Sequence, residues 1–247
     1  MNITKQKGFT LVEIAIVLVI IGLLLGGILK GQELINSARV RNLADQNSGV
    51  QAAYYGFIDR YRQVPGDWAA ANATTAIGVT VNLGGNGNGR IDDDVTESAA
   101  AWEQLAKSNF LGGGFSPAAG AVADEAAYNL VSPINAFNGN LVLNRNDQYT
   151  GTAADRLNLH LGRNVPVNIA RELDVKVDDG LPNTGVLRLT GGAVSATFVN
   201  TFAAVAATCT ATAASVPGAV VAGAGVTVTD IYNIFEDAQD CGQVFLY

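Results

Sequence analysis

The chain has 247 residues and carries 15 Lys and Arg against 22 Asp and Glu, a formal charge of −7. That sign is wrong for a general phosphate-binding surface, so direct nucleic-acid binding is not expected. Only 7% of residues are aromatic and 28 are glycine, yet a mean hydropathy of +0.22 is too high for a disordered chain.

The first element is apolar. From Phe9 to Leu29 the sequence carries one charge, Glu13, and at ~1.5 Å per residue a helix of this length crosses a ~30 Å hydrocarbon core. Lys5 and Lys7 precede it, which by the positive-inside rule leaves the N-terminus in the cytoplasm and sends the rest outward. A cleaved secretory signal is the alternative, but no A-x-A-like site follows and the apolar core exceeds the usual length. All prolines lie at Pro65 or beyond, so nothing of that kind interrupts a helix running from Phe9 to about Arg62. Leu34, Ala38, Leu43, Val50, Ala53 and Phe57 keep helical spacing. The expectation is one helix of roughly 80 Å, apolar all round in its first half and amphipathic in its second. Gly22, Gly26, Gly27 and Gly31 are its weak points, at about 1 kcal/mol each against Ala.

Glu13 needs an explanation, because a carboxylate near hydrocarbon costs a few kcal/mol unless it is partnered. The stretch KGFTLVEIAIVLVIIGLL, Lys7 to Leu24, resembles the prepilin motif of the type IV pilin and type II secretion pseudopilin superfamily. That motif has a basic leader ending in glycine, an apolar first mature residue and Glu at the fifth mature position. Gly8, Phe9 and Glu13 match it in turn. The resemblance implies cleavage between Gly8 and Phe9 by prepilin peptidase, N-methylation of Phe9, and pairing of the Glu13 carboxylate with a Phe9 amine in an apolar filament core. Breaking such a pair leaves a buried charge, so Glu13 would set assembly register. A Glu snorkelling at the membrane interface is the alternative. The implied organisation is a leader at 1–8, a transmembrane and filament-core helix half at 9–29, an amphipathic half at 30–63 and a globular head at 64–247.

Pro65 and Gly66 stop the helix, and Asp67 and Trp68 begin a loop. GGNGNGRIDDD, Gly84 to Asp94, partly fits a calcium loop, with Asn86, Asn88, Asp92 and Asp94 as candidate ligands. The pattern fails at both ends, where Gly84 and Val95 replace acids, and a Gly/Asn turn leading into a helix is the competing reading. That helix is expected over Thr96–Asn109, capped by Thr96 and ended by Gly112 to Gly114. A second is expected at PVNIARELDVKVDDG, with Pro166 in the first turn. YNLVS, NLVLN, GVLRLT, AVSATFV, VTVTD and QVFLY read as strands of an antiparallel sheet. In VDDGLPNTG, which resembles a loop of pilin-like proteins, Asp178 and Asp179 read as a solvated turn ahead of metal ligands.

Cys209 and Cys241 are the only cysteines and lie on the side of the membrane where disulfides persist. Pilins often close their C-terminal region with such a bridge, here worth about 3 to 4 kcal/mol; two buried thiols are the alternative. His160 is the single histidine, which excludes a histidine-centred metal site, and no GxSxG, P-loop or HExxH stretch appears. Sequence therefore points away from an enzyme. The expected fold is α+β and pilin-like, with a long N-terminal helix, an antiparallel-sheet head and no cofactor beyond the calcium candidate. The expected function is assembly, with copies of itself or other pilins and through inner-membrane machinery, into a type IV pilus or pseudopilus. The precursor would sit in the inner membrane, and the mature subunit in an extracellular or periplasmic filament. A membrane-anchored binding module that never polymerises is the alternative.

Overall fold

The computed structural model describes residues 10–118, 120, 122–152, 154–190, 198, 209–211, 231–236 and 238–247. Helix α1 (Leu11–Tyr61) runs for 51 residues without a break at any of its glycines. Among the described residues, no added Cβ at Gly22, Gly26, Gly27 or Gly31 would meet another atom within 4 Å, so these glycines fit no described neighbour. The helix ends where Arg62 takes a left-handed conformation, φ 55°, and its N–H returns to the Ile58 carbonyl. Pro65 then prevents resumption.

Chain contacts divide the protein into two compact units, Met1–Arg39 and Val40–Tyr247. Within the first, the apolar residues of α1 are exposed around the helix, Leu11 to 89%. The second closes its own core. Val40, Leu43, Val50, Ala53 and Phe57 line the buried stripe of α1, and they join Trp102, Leu105, Leu143, Leu159 and Phe245 in one cluster.

The short helix α2 (Ala70–Ile77) follows α1 and was not legible in the Ala/Thr-rich sequence. Helix α3 (Val95–Lys107) begins one residue before the expected start and is capped by Asp94, whose carboxylate accepts the Thr96 and Glu97 N–H groups. Asp94 has the extended backbone that an N-cap needs, which makes Thr96 the second helical residue. The helix also ends earlier than Gly112, with Ser108 as C-cap and Asn109 left-handed, φ 61°; Asn tolerates that conformation. YNLVS is not a strand. Its first two residues end helix α4 (Glu125–Asn129), capped by Asp124, and its last three form a turn.

Strands β1 (Val142–Asn146), β2 (Arg156–His160), β3 (Leu187–Leu189) and β6 (Gln243–Leu246) form an antiparallel sheet in the order β1-β2-β6-β3. Strand periodicity sorts its faces. Leu143 pairs with Leu159, Leu159 with Phe245, and Phe245 with Leu187, and all four enter the main core. The alternate positions hold Asn144, Asn158 and His160, with Val244 and Leu246 packed on Tyr149. Helix α5 (Val167–Val177) buries Ile169, Ala170 and Leu173. Strands β4 (Thr210–Ala211) and β5 (Ile231–Tyr232) pair separately. The expected strands AVSATFV, apart from Phe198, and VTVTD lie outside the described residues.

Candidate assembly site and the loops of the head

Gly8 and Phe9 lie outside the described residues; Glu13 does not. Its Oε2 accepts both the Thr10 backbone N–H and the Thr10 hydroxyl, each at 2.8 Å, while its own N–H donates to Thr10 Oγ1 at 3.3 Å. This is a capping box, in which residue and side chain exchange bonds across the first turn. Thr10 was missed in the sequence, although T-x-x-E before an apolar run is the signal for it. The helix that starts there is long and apolar enough to cross a membrane, and its most apolar window is entirely exposed within the chain.

Residues 3–29 match the prokaryotic N-terminal methylation motif. The chain carries the type IV pilin and pseudopilin signature. No curated protein and no solved structure matches the chain. The methylation motif standing before an exposed apolar helix supports a pilin- or pseudopilin-like precursor and fits anchoring in a membrane. The long helix and antiparallel sheet give the pilin-like α+β layout.

Around the candidate calcium loop, carboxylates gather backbone N–H groups. Buried Asp67 accepts from Gly87 and Asn88 through Oδ1 and from Gly89 through Oδ2. Glu97 accepts from Asn86 and Asp92. Further along α3, Glu103 accepts from Asn82 and Leu83, and Gln104 from Gly66. One helix face thus pins residues 66–92. Gly85 has no room for a side chain, since a Cβ there would lie 2.5 Å from Asp67 Cα.

Of the four candidate ligands, Asn86 and Asn88 both turn their amide N–H groups to Asp92 Oδ2, at 2.9 and 2.7 Å. Asp94 is turned away to cap α3. Burial opposes ionisation of Asp92, but donors from Asn86, Arg90 and Asn88 outweigh it and hold the carboxyl below its usual range. Burial raises Glu97, against the Asp92 and Asn86 N–H groups and with the charges of Asp92 and Asp67 adding to the rise.

The one set of three acidic groups spaced for a cation among the described residues is elsewhere, at Asp174, Asp178 and Asp179, whose oxygens lie within 4.8 Å of one another. Each has protein donors. Asp174 accepts from Tyr232 Oη at 2.8 Å and the Gly180 N–H, Asp178 from the Val186 and Leu187 N–H groups, and Asp179 from the Leu181 N–H and Thr184 hydroxyl. Asp174 is wholly buried, and burial lifts its pKa to about 7.

Cys209 and Cys241 form a disulfide, with Cα atoms 5.7 Å apart. It is flanked by Arg163, which pairs with Asp240, and by the Cys241 N–H, which donates to the Val165 carbonyl. His160 is buried in the sheet, where burial depresses its pKa to about 3. A group held neutral there and set beside Asn146 is placed as part of the sheet's polar layer. A groove of about 590 Å³ lies between α1 and the α4 turn, lined by Gln46, Gly49, Val50, Phe115, Leu130 and Ile134 among others.

Proposed function

We propose that the chain is a structural subunit, cut after Gly8 and methylated at Phe9, which polymerises through α1 into a type IV pilus or related pseudopilus. The observation that carries this reading is the methylation motif at residues 3–29 standing before an apolar helix that its own chain leaves uncovered. Apolar area of that extent is satisfied by lipid or by other helices. A bilayer serves it before assembly, and the same helix of neighbouring subunits serves it afterwards. Glu13 then accepts a Phe9 amine in the bundle, where a partnered charge is tolerable and a lone one costs several kcal/mol. Residues 64–247 form the outer surface, tied by the Cys209–Cys241 bridge.

The role is structural. The motif points to a pilin-type protein, and the buried neutral His160 offers no accessible base. The test is electron microscopy of surface fibres, together with immunoblotting of the sheared-fibre and inner-membrane fractions, in strains with and without this chain. The reading expects the protein in sheared fibres and their loss or shortening without it. Protein confined to the inner membrane, with fibres unchanged, would identify an anchored module instead.

A further inference from the structure

We infer that the groove beside α1 seats Phe235 of a second copy of this chain, giving neighbouring heads a contact of their own in the fibre. The inference rests on the filament reading given under Proposed function and adds a contact between heads to it. The groove holds about 590 Å³, within the roughly 300–1,000 Å³ of preformed ligand pockets. Gln46, Gly49 and Val50 line it from α1, and Phe115, Leu130 and Ile134 from the loop and turn beyond. Val50 is buried, while Leu130 is 86% exposed. The walls are tied together. Gln46 Nε2 donates to the Ile134 carbonyl at 3.0 Å, and Asn140 Nδ2 holds the turn through Ser132 Oγ and the Asn129 carbonyl. Among the described residues, none that lines the groove carries a charge.

An apolar groove is filled by an apolar projection, and the chain carries one. Ile234 and Phe235 are 46% and 64% exposed, and Phe235 is the one exposed aromatic outside α1 among the described residues. Its turn is braced. The Asn233 N–H donates to the Cys209 carbonyl and the Glu236 N–H to the Asn233 carbonyl, with Cys209 held by the disulfide. An aromatic presented from a fixed turn loses little freedom on docking, and buried aromatics carry much of the energy of an interface. None of the residues lining the groove belongs to that turn. Each copy therefore offers one projection and one groove at different places, which lets the contact repeat head to tail along an open array. Two features favour a second copy as the occupant. In the proposed function α1 is the polymerising helix, and it is also a wall of the groove, so packing through α1 brings another head beside it. Copies of a chain with formal charge −7 repel one another, and an uncharged groove is where they can touch.

The experiment expresses full-length Phe235→Ser, Gly49→Ala, Gly49→Leu and the Phe235→Ser/Gly49→Leu double variant as the sole source of subunit. It reads the subunit in sheared fibres against total subunit. Phe235 is exposed, so its replacement leaves the subunit's own fold intact. Among the described residues no atom lies within 4 Å of a Cβ added at Gly49, so Leu there occupies the groove without a clash and Ala barely enters it. Gly49→Ala should assemble at the parent level. Phe235→Ser and Gly49→Leu should each fall about tenfold, the loss of one anchor residue. The double variant should fall no further than the lower single, because both changes remove the same contact. A second arm places the photo-crosslinker p-benzoylphenylalanine at residue 235, co-expresses that chain with the parent so that fibres form, and illuminates the sheared fibres. A dimer joining residue 235 to residues 46–50 or 111–134 of another copy is expected. Parent-level yield in Phe235→Ser or in Gly49→Leu overturns the inference. So does an equal fall in Gly49→Ala, which would assign the effect to helix packing, or multiplied losses in the double variant, which would mean two separate contacts. Fibres that give no dimer, or a crosslink to another part of the chain or to another protein, overturn it as well. Parent protein confined to the inner membrane, with fibres unchanged without it, overturns instead the reading beneath it.

Discussion

Asp174 is a carboxyl group set where its charge is unwelcome. It is fully buried on α5, near Asp178 and Asp179, and holds its proton to about pH 7, against an unfolded value of about 3.9. The sign of the linkage follows. Between those values the folded chain binds the proton and the unfolded chain does not, so this group stabilises the fold fully below about pH 4 and loses that contribution as pH rises to about 7. The slope is at most about 1.4 kcal/mol per pH unit. Asp174→Asn keeps an acceptor for Tyr232 and cannot ionise. Thermal melts at pH 5 and pH 8 should show the parent losing stability with rising pH and the variant losing distinctly less. Equal slopes in the two proteins would show that Asp174 ionises normally. Glu97 adds a smaller change of the same sign, and Asp92 one of opposite sign below its usual range.

At the scale of elements, what was legible depended on where the determining partners lie. Helix α1 was readable over nearly its whole length, because an uninterrupted apolar and then amphipathic run is a local property. NLVLN, GVLRLT and QVFLY gave strands β1, β3 and β6 near their expected places. YNLVS failed because its tyrosine is spoken for from afar: Tyr128 Oη accepts from Trp102 Nε1 and donates to the Leu141 carbonyl, and a helical turn makes that reach. The buried acceptors of α3 were unreadable for the same reason, since the N–H groups that Glu97 and Glu103 satisfy come from a loop earlier in the chain. In the assembly motif Glu13 was readable as an anomaly, a lone acid in an apolar run, while Thr10 looked like an ordinary polar residue near a helix start. The disulfide is the element whose removal is simplest to score. Converting both Cys209 and Cys241 to Ser leaves the Arg163–Asp240 pair in place, and should cost about 3 to 4 kcal/mol, or roughly 10 °C in melting temperature for a domain of this size. Calorimetry of the double variant measures it; a shift under about 2 °C would show that the ion pair and core hold the C-terminal segment without the bridge.

For the whole molecule, the two units differ in what covers their apolar residues. Val40–Tyr247 packs its own helix stripe, sheet face and α3 into one cluster, and the Tyr247 hydroxyl bonds Asn47 at 2.6 Å, linking the last residue to α1. In Met1–Arg39 the apolar residues of α1 among those described are left exposed by the chain, and the proposed function gives them to lipid and then to other copies. Subunit assembly through that surface, after removal of the leader, is the central claim of this account. The most direct measurement is the intact mass, with N-terminal fragmentation, of this chain recovered from sheared surface fibres. The account predicts a chain beginning at Phe9, bearing one added methyl group on its amine, with Cys209 and Cys241 joined. A fibre subunit that retains residues 1–8, or one that begins elsewhere without the methyl group, would contradict it.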